Sequence, residues 1–284
     1  TEVGGSGGGT ITVEVPILGT AGGVATDVTM TGGSGAISVE DMGTDINDIS
    51  LTTTGAISLN GTYTTSILSS GNADVGDVTL TGPVTLAGNT TIDTDSSNGT
   101  VGFTSTVDGG NTLTISSGSG AVDFAGNIGA TTALGDVTIN SSSGTGTIDI
   151  EQIGDGDNLG GIVGSVAIGN STTTQVEFDG TIYKFGQVTG ETDTVLITGT
   201  DTGTVLDFTA GAAVTITGVG QDIAGDNTTA GPAITFATGT IGLANGSNLT
   251  INSGGGAITI KGIRGTSSET VTLNANKAAG DASS

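Results

Sequence analysis

Asp27-Val-Thr-Met-Thr-Gly-Gly-Ser-Gly-Ala-Ile-Ser-Val39 is followed by Asp48-Ile-Ser-Leu-Thr-Thr-Thr-Gly-Ala-Ile-Ser-Leu59. Both read acidic residue, apolar–x–apolar triplet, Gly/Ser turn, second triplet. Strict alternation over three or four residues marks a short strand with one buried face, and the glycines mark where the chain leaves it. The same unit returns as Asn111-Thr-Leu-Thr-Ile-Ser-Ser-Gly-Ser-Gly-Ala-Val-Asp-Phe124, as Asp136 to Ile150, and as Asn248-Leu-Thr-Ile-Asn-Ser-Gly-Gly-Gly-Ala-Ile-Thr-Ile260. Unit starts lie roughly 20 to 30 residues apart, the spacing of repeat arrays, with turns of variable length bulging from a constant core.

The pattern predicts an all-β chain in which the units stack as a parallel β-helix, a single solenoid domain over residues 1–284. About a dozen coils at ~4.8 Å per rung would make a rod on the order of 60 Å long. Antiparallel hairpins stacked into β-sandwich modules are the structural alternative, because paired triplets with Gly turns also read as hairpins. Short strands, resemblance at whole-unit spacing and an aliphatic core favour coils.

Composition agrees with a narrow shared core. The 284 residues include 54 Gly, no Cys, no Trp, no His, 2 Tyr and 6 Phe, yet 34% are hydrophobic, which separates the chain from disordered acidic tails. Without Cys there is no disulfide staple and no thiolate metal site. With 28 acidic residues against 4 basic ones, net −24, the chain is repelled by phosphate backbones and anionic membranes, so nucleic acid is excluded as a partner. No apolar run is long enough for a membrane helix. The opening Thr1-Glu2-Val3 and the tail Ala278 to Ser284 read as cuts through a longer or processed polypeptide.

These units resemble the repeats of very large bacterial surface proteins of the filamentous-haemagglutinin and adhesin type. The resemblance is carried mainly by Asn111 to Asn140, and by the shorter segments Asp27 to Asn60 and Asn248 to Gly265. It implies a right-handed parallel β-helix, export to the cell surface, and a role in adhesion, sheath or filament building.

Candidate chemistry lies in the acidic turns. Glu40, Asp41, Asp45 and Asp48, the run from Asp93 and Asp95 to Gly99, and Asp155 with Asp157 are oxygen-rich clusters of the kind that hold Ca2+, the one cofactor the sequence suggests, though none is required. Solvated turn residues are the plainer explanation of each cluster. Thr fills the middle of many triplets; stacked on one face it would form a hydroxyl ladder of the ice-binding kind, a lower alternative. With no His or Cys, Ser–His and Cys–His catalysis is unavailable, and the expectation is a non-enzyme. The expected role is a structural, extracellular or cell-surface fibre component whose partner is itself, end to end or laterally. The alternative is an adhesin segment gripping cell-surface glycans through the irregular segments Gly61 to Asp77 and Leu159 to Thr174.

Overall fold

The computed structural model describes residues 2–4, 8–19, 26–43, 45–66, 75–155, 161–188, 193–199, 204–221 and 230–276. Among them every regular element is a strand, and all strand pairings are parallel. The antiparallel alternative is thereby corrected. A parallel neighbour needs a long crossover, and here the crossover is the rest of the coil.

The coil has three sides. Glu2–Gly4, Ile11–Val13 and Ile17–Leu18 are the first rung's three strands, and each pairs with the corresponding strand of the next coil: Thr26–Gly33, Ile37–Val39 and Met42–Gly43. Some strands, such as Ile57–Thr64 and Val84–Asp93, bend through a corner and serve two sides. The register is continuous. On the second side Ile11, Ile37, Ile57, Val84, Val107, Ile128, Ile153, Tyr183, Ile216, Ile251 and Leu273 follow one another in direct pairing, which makes eleven rungs. At ~4.8 Å per rung the stack is about 50 Å long.

Side chains of the triplets' outer members point inward and their middle members outward, as alternation requires. The inward set is fully buried from Val28 to Ile251. It is not purely aliphatic as the sequence suggested: all six phenylalanines and both tyrosines lie in it. On the first side Phe103 stacks on Phe124 at 4.6 Å, and Phe178 on Phe208 at 4.8 Å with Tyr183 edge-on to Phe178 at 5.1 Å. Like piles on like because consecutive rungs repeat one cross-section.

Two devices shape the corners. Gly76, Gly99, Gly120 and Gly146 each stand two residues before the first inward residue of a first-side strand (Val78, Val101, Val122 and Ile148), and their backbones nearly touch. A Cβ on Gly99 would sit 1.9 Å from the Gly76 carbonyl oxygen, and one on Gly146 1.8 Å from that of Gly120. No other residue fits. Beside this glycine ladder, buried hydroxyls satisfy the turning backbone: Thr65 donates to the Gly76 carbonyl at 2.6 Å, Thr94 to Gly99 at 2.6 Å, and Ser117 to Gly120 at 2.7 Å.

Loops outside this core vary freely. One turn takes 21 residues from Met30 to Leu51 and 35 from Phe208 to Leu243, both inward positions of the first side. Among the described residues the end rungs are less covered than the middle: Ile11, Val13 and Ile17 at one end, and Ile258, Ile260 and Ile263 at the other, are only partly buried. Val271 is 39% and Leu273 50% exposed.

Candidate functional site

Outward chemistry is set by which rung and side each middle residue occupies. At corners the rung-to-rung hydrogen bonds are interrupted, and an orphaned backbone N–H there needs another acceptor. Asp and Asn supply it. Asp41 Oδ1 accepts the Thr62 N–H at 2.6 Å, Asp48 Oδ1 the Asp77 N–H at 2.8 Å, and Asp77 Oδ1 the Thr100 N–H at 2.6 Å. Asp136 does the same for Ser165 at 2.8 Å, and Asp108 for Thr131 and Thr132 at 2.7 and 3.0 Å. Each is a charge-assisted brace from one coil to the next.

This places the acidic residues singled out above as calcium ligands. Asp41 and Asp48 brace different corners rather than converging. Glu40 enters through its backbone, whose N–H donates to the Val13 carbonyl at 3.3 Å. Asp45 stands in a left-handed turn at φ 63°. Asp93 accepts the Asp95 N–H at 3.0 Å, closing a turn that ends at Asn98, whose side chain braces Ser119 at 2.9 Å. Asp155 follows the strand Thr147–Ile153, and Asp157 lies outside the described residues. Among the described residues no group of three or more His, Cys, Asp or Glu is gathered as a metal ion needs. The irregular segments proposed for glycan contact, Gly61 to Asp77 and Leu159 to Thr174, fall partly outside the described residues as well.

One charged file was not singled out as a site from the sequence. Asp123, Asp149, Glu177 and Asp207 are the middle residues of four successive first-side triplets, and direct pairing stacks them in one outward file. Strand spacing holds the four backbones ~4.8 Å apart. Glu151 and Asp179 flank them, one position past the following inward residue of their own strands. Burial, then the charges of Asp179, Glu177, Asp123 and Glu151, push the Asp149 carboxyl up to about 6. Glu177 is raised by burial and by Asp179 and Asp207, and Asp207 by burial. Gln175 Nε2 relieves Asp207 with a 3.0 Å hydrogen bond, and the Thr209 hydroxyl donates to Asp179. The signal was present: all four interrupt the Thr series at the same triplet position.

Threonines do not collect on one face. Thr29 and Thr79 are on the first side, Thr12, Thr85, Thr215, Thr250 and Thr272 on the second, and Thr114, Thr138, Thr235 and Thr259 on the third. The longest directly paired run among the described residues is Thr62, Thr91, Thr114 and Thr138 on the third side, which then passes through Ala167 and Leu196.

Both tyrosines plug corners from within. The Tyr63 hydroxyl donates to the Val39 carbonyl at 2.7 Å and accepts the Asn60 N–H at 3.1 Å; that of Tyr183 accepts the Gly180 N–H at 2.8 Å. Burial raises both phenols well above their ordinary range.

No protein-family model, curated protein or solved structure matches the chain. The resemblance to bacterial surface repeats therefore rests on the repeat units alone. No helix among the described residues is long and apolar enough to cross a membrane.

Proposed function

We propose that this chain is a non-catalytic structural component of an extracellular or cell-surface fibre, a stalk whose work is to be long and stiff. One observation carries the reading: the inward register runs unbroken through eleven rungs while loop length changes freely around it. A packed core repeated along one axis resists bending because each rung contacts the next over all three sides. Corners are braced coil to coil by side-chain acceptors, which ties the rungs at the points where backbone pairing lapses. The resemblance to bacterial surface repeats supports the same reading, and so does a net charge of −24, which keeps a Gly- and Thr-rich rod soluble.

Antibody labelling of intact producing cells, followed by electron microscopy, is the test. Label on surface filaments or a surface layer is the expected result. Label confined to the interior of permeabilised cells overturns the proposal.

A further inference from the structure

The sequence holds three Asn-Gly steps: Asn60-Gly61, Asn98-Gly99 and Asn245-Gly246. In each, the glycine nitrogen is one ring closure away from the asparagine side-chain carbonyl carbon, and no Cβ on the glycine obstructs the approach. The fold treats the three differently. At the first, the Tyr63 hydroxyl accepts the Asn60 N–H at 3.1 Å, and Gly61 is paired in register with Thr90. At the second, the Gly99 N–H donates to the Thr94 carbonyl at 3.3 Å and Gly99 is buried in the glycine ladder.

Asn245 and Gly246 stand instead in a turn between the strands Thr240–Leu243 and Leu249–Asn252, with Asn245 exposed. The next coil brings Ser267 and Glu269 against them. The Gly246 N–H donates to Glu269 Oε1 at 3.3 Å. Ser267 Oγ lies 2.9 Å from that same oxygen and 3.0 Å from Asn245 Oδ1. Backbone nitrogen, carboxylate, hydroxyl and amide carbonyl thus form one continuous hydrogen-bonded chain. The N–H groups of Ser267 and Thr266 hold the other carboxylate oxygen at 2.7 and 2.9 Å, which fixes its orientation. These bonds, that from the Ser267 backbone foremost, push the Glu269 carboxyl down to about 2, so it is ionised at any physiological pH.

We propose that Asn245 is a self-modifying residue, cyclised by attack of the Gly246 nitrogen on its side-chain carbonyl with Glu269 and Ser267 carrying the proton. As the N–Cγ bond forms, the Gly246 proton passes to Glu269, Glu269 returns one to Ser267, and Ser267 gives its own to Oδ1. A carboxylate of low basicity suits this task because it only passes the proton on. The hydroxyl proton of the adduct then moves to Nδ2, the Cγ–Nδ2 bond breaks, and ammonia leaves a succinimide. Water opens that ring at either carbonyl, giving aspartate or its β-linked isomer. Water is the sole co-reactant. Either product sets a second carboxylate beside Glu269. The β-linked one also lengthens the main chain in a turn closed by the Ser247 N–H on the Ala244 carbonyl at 2.9 Å. Conversion therefore loosens this corner as the protein ages.

The purified chain Thr1–Ser284 is incubated at neutral pH, folded and in urea, and the three sites are followed by peptide mapping with mass spectrometry. In the folded chain Asn245 should convert about tenfold or more faster than Asn60 and Asn98. In urea the three rates should converge. Ser267→Ala and Glu269→Gln should each slow Asn245 about tenfold in the folded chain and leave its rate in urea unchanged. Far-UV circular dichroism checks that both variants fold, and either one alone decides the matter. Asn245 converting no faster than the other two would overturn the proposal. So would a folded variant that converts as fast as the parent or faster, the result expected if the two side chains only steady the turn.

Discussion

The first side between Asp123 and Asp207 and the third side between Thr62 and Thr138 are built on the same backbone, strand over strand in unbroken register. Behind both lies a dry file: Phe124, Ile150, Phe178 and Phe208 in one case, Tyr63, Ile92, Ile115 and Ile139 in the other. Their outward files differ entirely, four carboxylates against four hydroxyls. The inward positions decide whether a rung forms, and the outward positions are left to chemistry. Stacked hydroxyls are neutral and suited to strands, whereas stacked carboxylates repel one another, and burial together with that repulsion raises Asp149 and Glu177.

The largest effect should ignore the difference between the two sides. Phe178→Ala removes a ring stacked on Phe208 and met edge-on by Tyr183, and should cost about 3–5 kcal/mol; Ile139→Ala on the third side should cost about 2–5 kcal/mol. Urea denaturation of both variants checks this, and a cost confined to one side would break the claim that both depend on the same kind of core.

Next comes the contrast between carboxylates that brace and carboxylates that crowd. Asp77→Ala deletes the acceptor of the Thr100 N–H and should cost about 1–2 kcal/mol, whereas Asp77→Asn, which keeps a side-chain oxygen, should retain most of the stability. Asp149→Asn should act in the opposite direction. Its carboxyl is raised from 3.8 to about 6, so the folded state holds the proton more firmly than the unfolded chain. The associated stability is fully present below pH ~4 and is lost as pH rises through ~6. At pH 7 the asparagine variant should gain about 1 kcal/mol, a figure already reduced for solvent screening at a partly exposed site. At pH 4 the gain should vanish. Thermal melts at the two pH values are the measurement, and equal effects at both would show that burial and the neighbouring carboxylates do not raise Asp149.

The smallest effect is expected from Thr114→Val on the third side, within about 0.5 kcal/mol in the same melts, because the middle residue there is a partly exposed outward position. A larger change would mean that the hydroxyl run is a load-sharing part of the rung.

The triplets were fully legible. Ile37, Val39, Ile57, Leu59, Val122 and Phe124 are buried as alternation required, and their spacing announced coils. Which side each triplet occupies was not legible. The repeated unit spans first and second sides in Asp27 to Val39, third and first in Asn111 to Phe124, and second and third in Asn248 to Ile260. The three sides demand the same alternation and the same Gly turn, so one sequence unit fits any corner. For the same reason a file such as Asp123, Asp149, Glu177 and Asp207 stays hidden: irregular loops separate its members by 26, 28 and 30 residues, and only the closed coil brings them together. Nothing in the sequence marks the buried hydroxyls of Thr65, Thr94 and Ser117 as facing inward.

Uneven loops around an even core have a mechanical consequence. Because backbone bonds between rungs lie along the axis, a pull on the two ends loads them directly and strips one turn before the next is strained. Counted on the first side, each release frees the chain of a single turn, from 21 residues at Met30–Leu51 to 35 at Phe208–Leu243. At ~3.4 Å per extended residue, that is about 70 to 120 Å of slack per step. A rod built this way and held at both ends would lengthen in unequal steps under tension, absorbing a sudden tug instead of snapping.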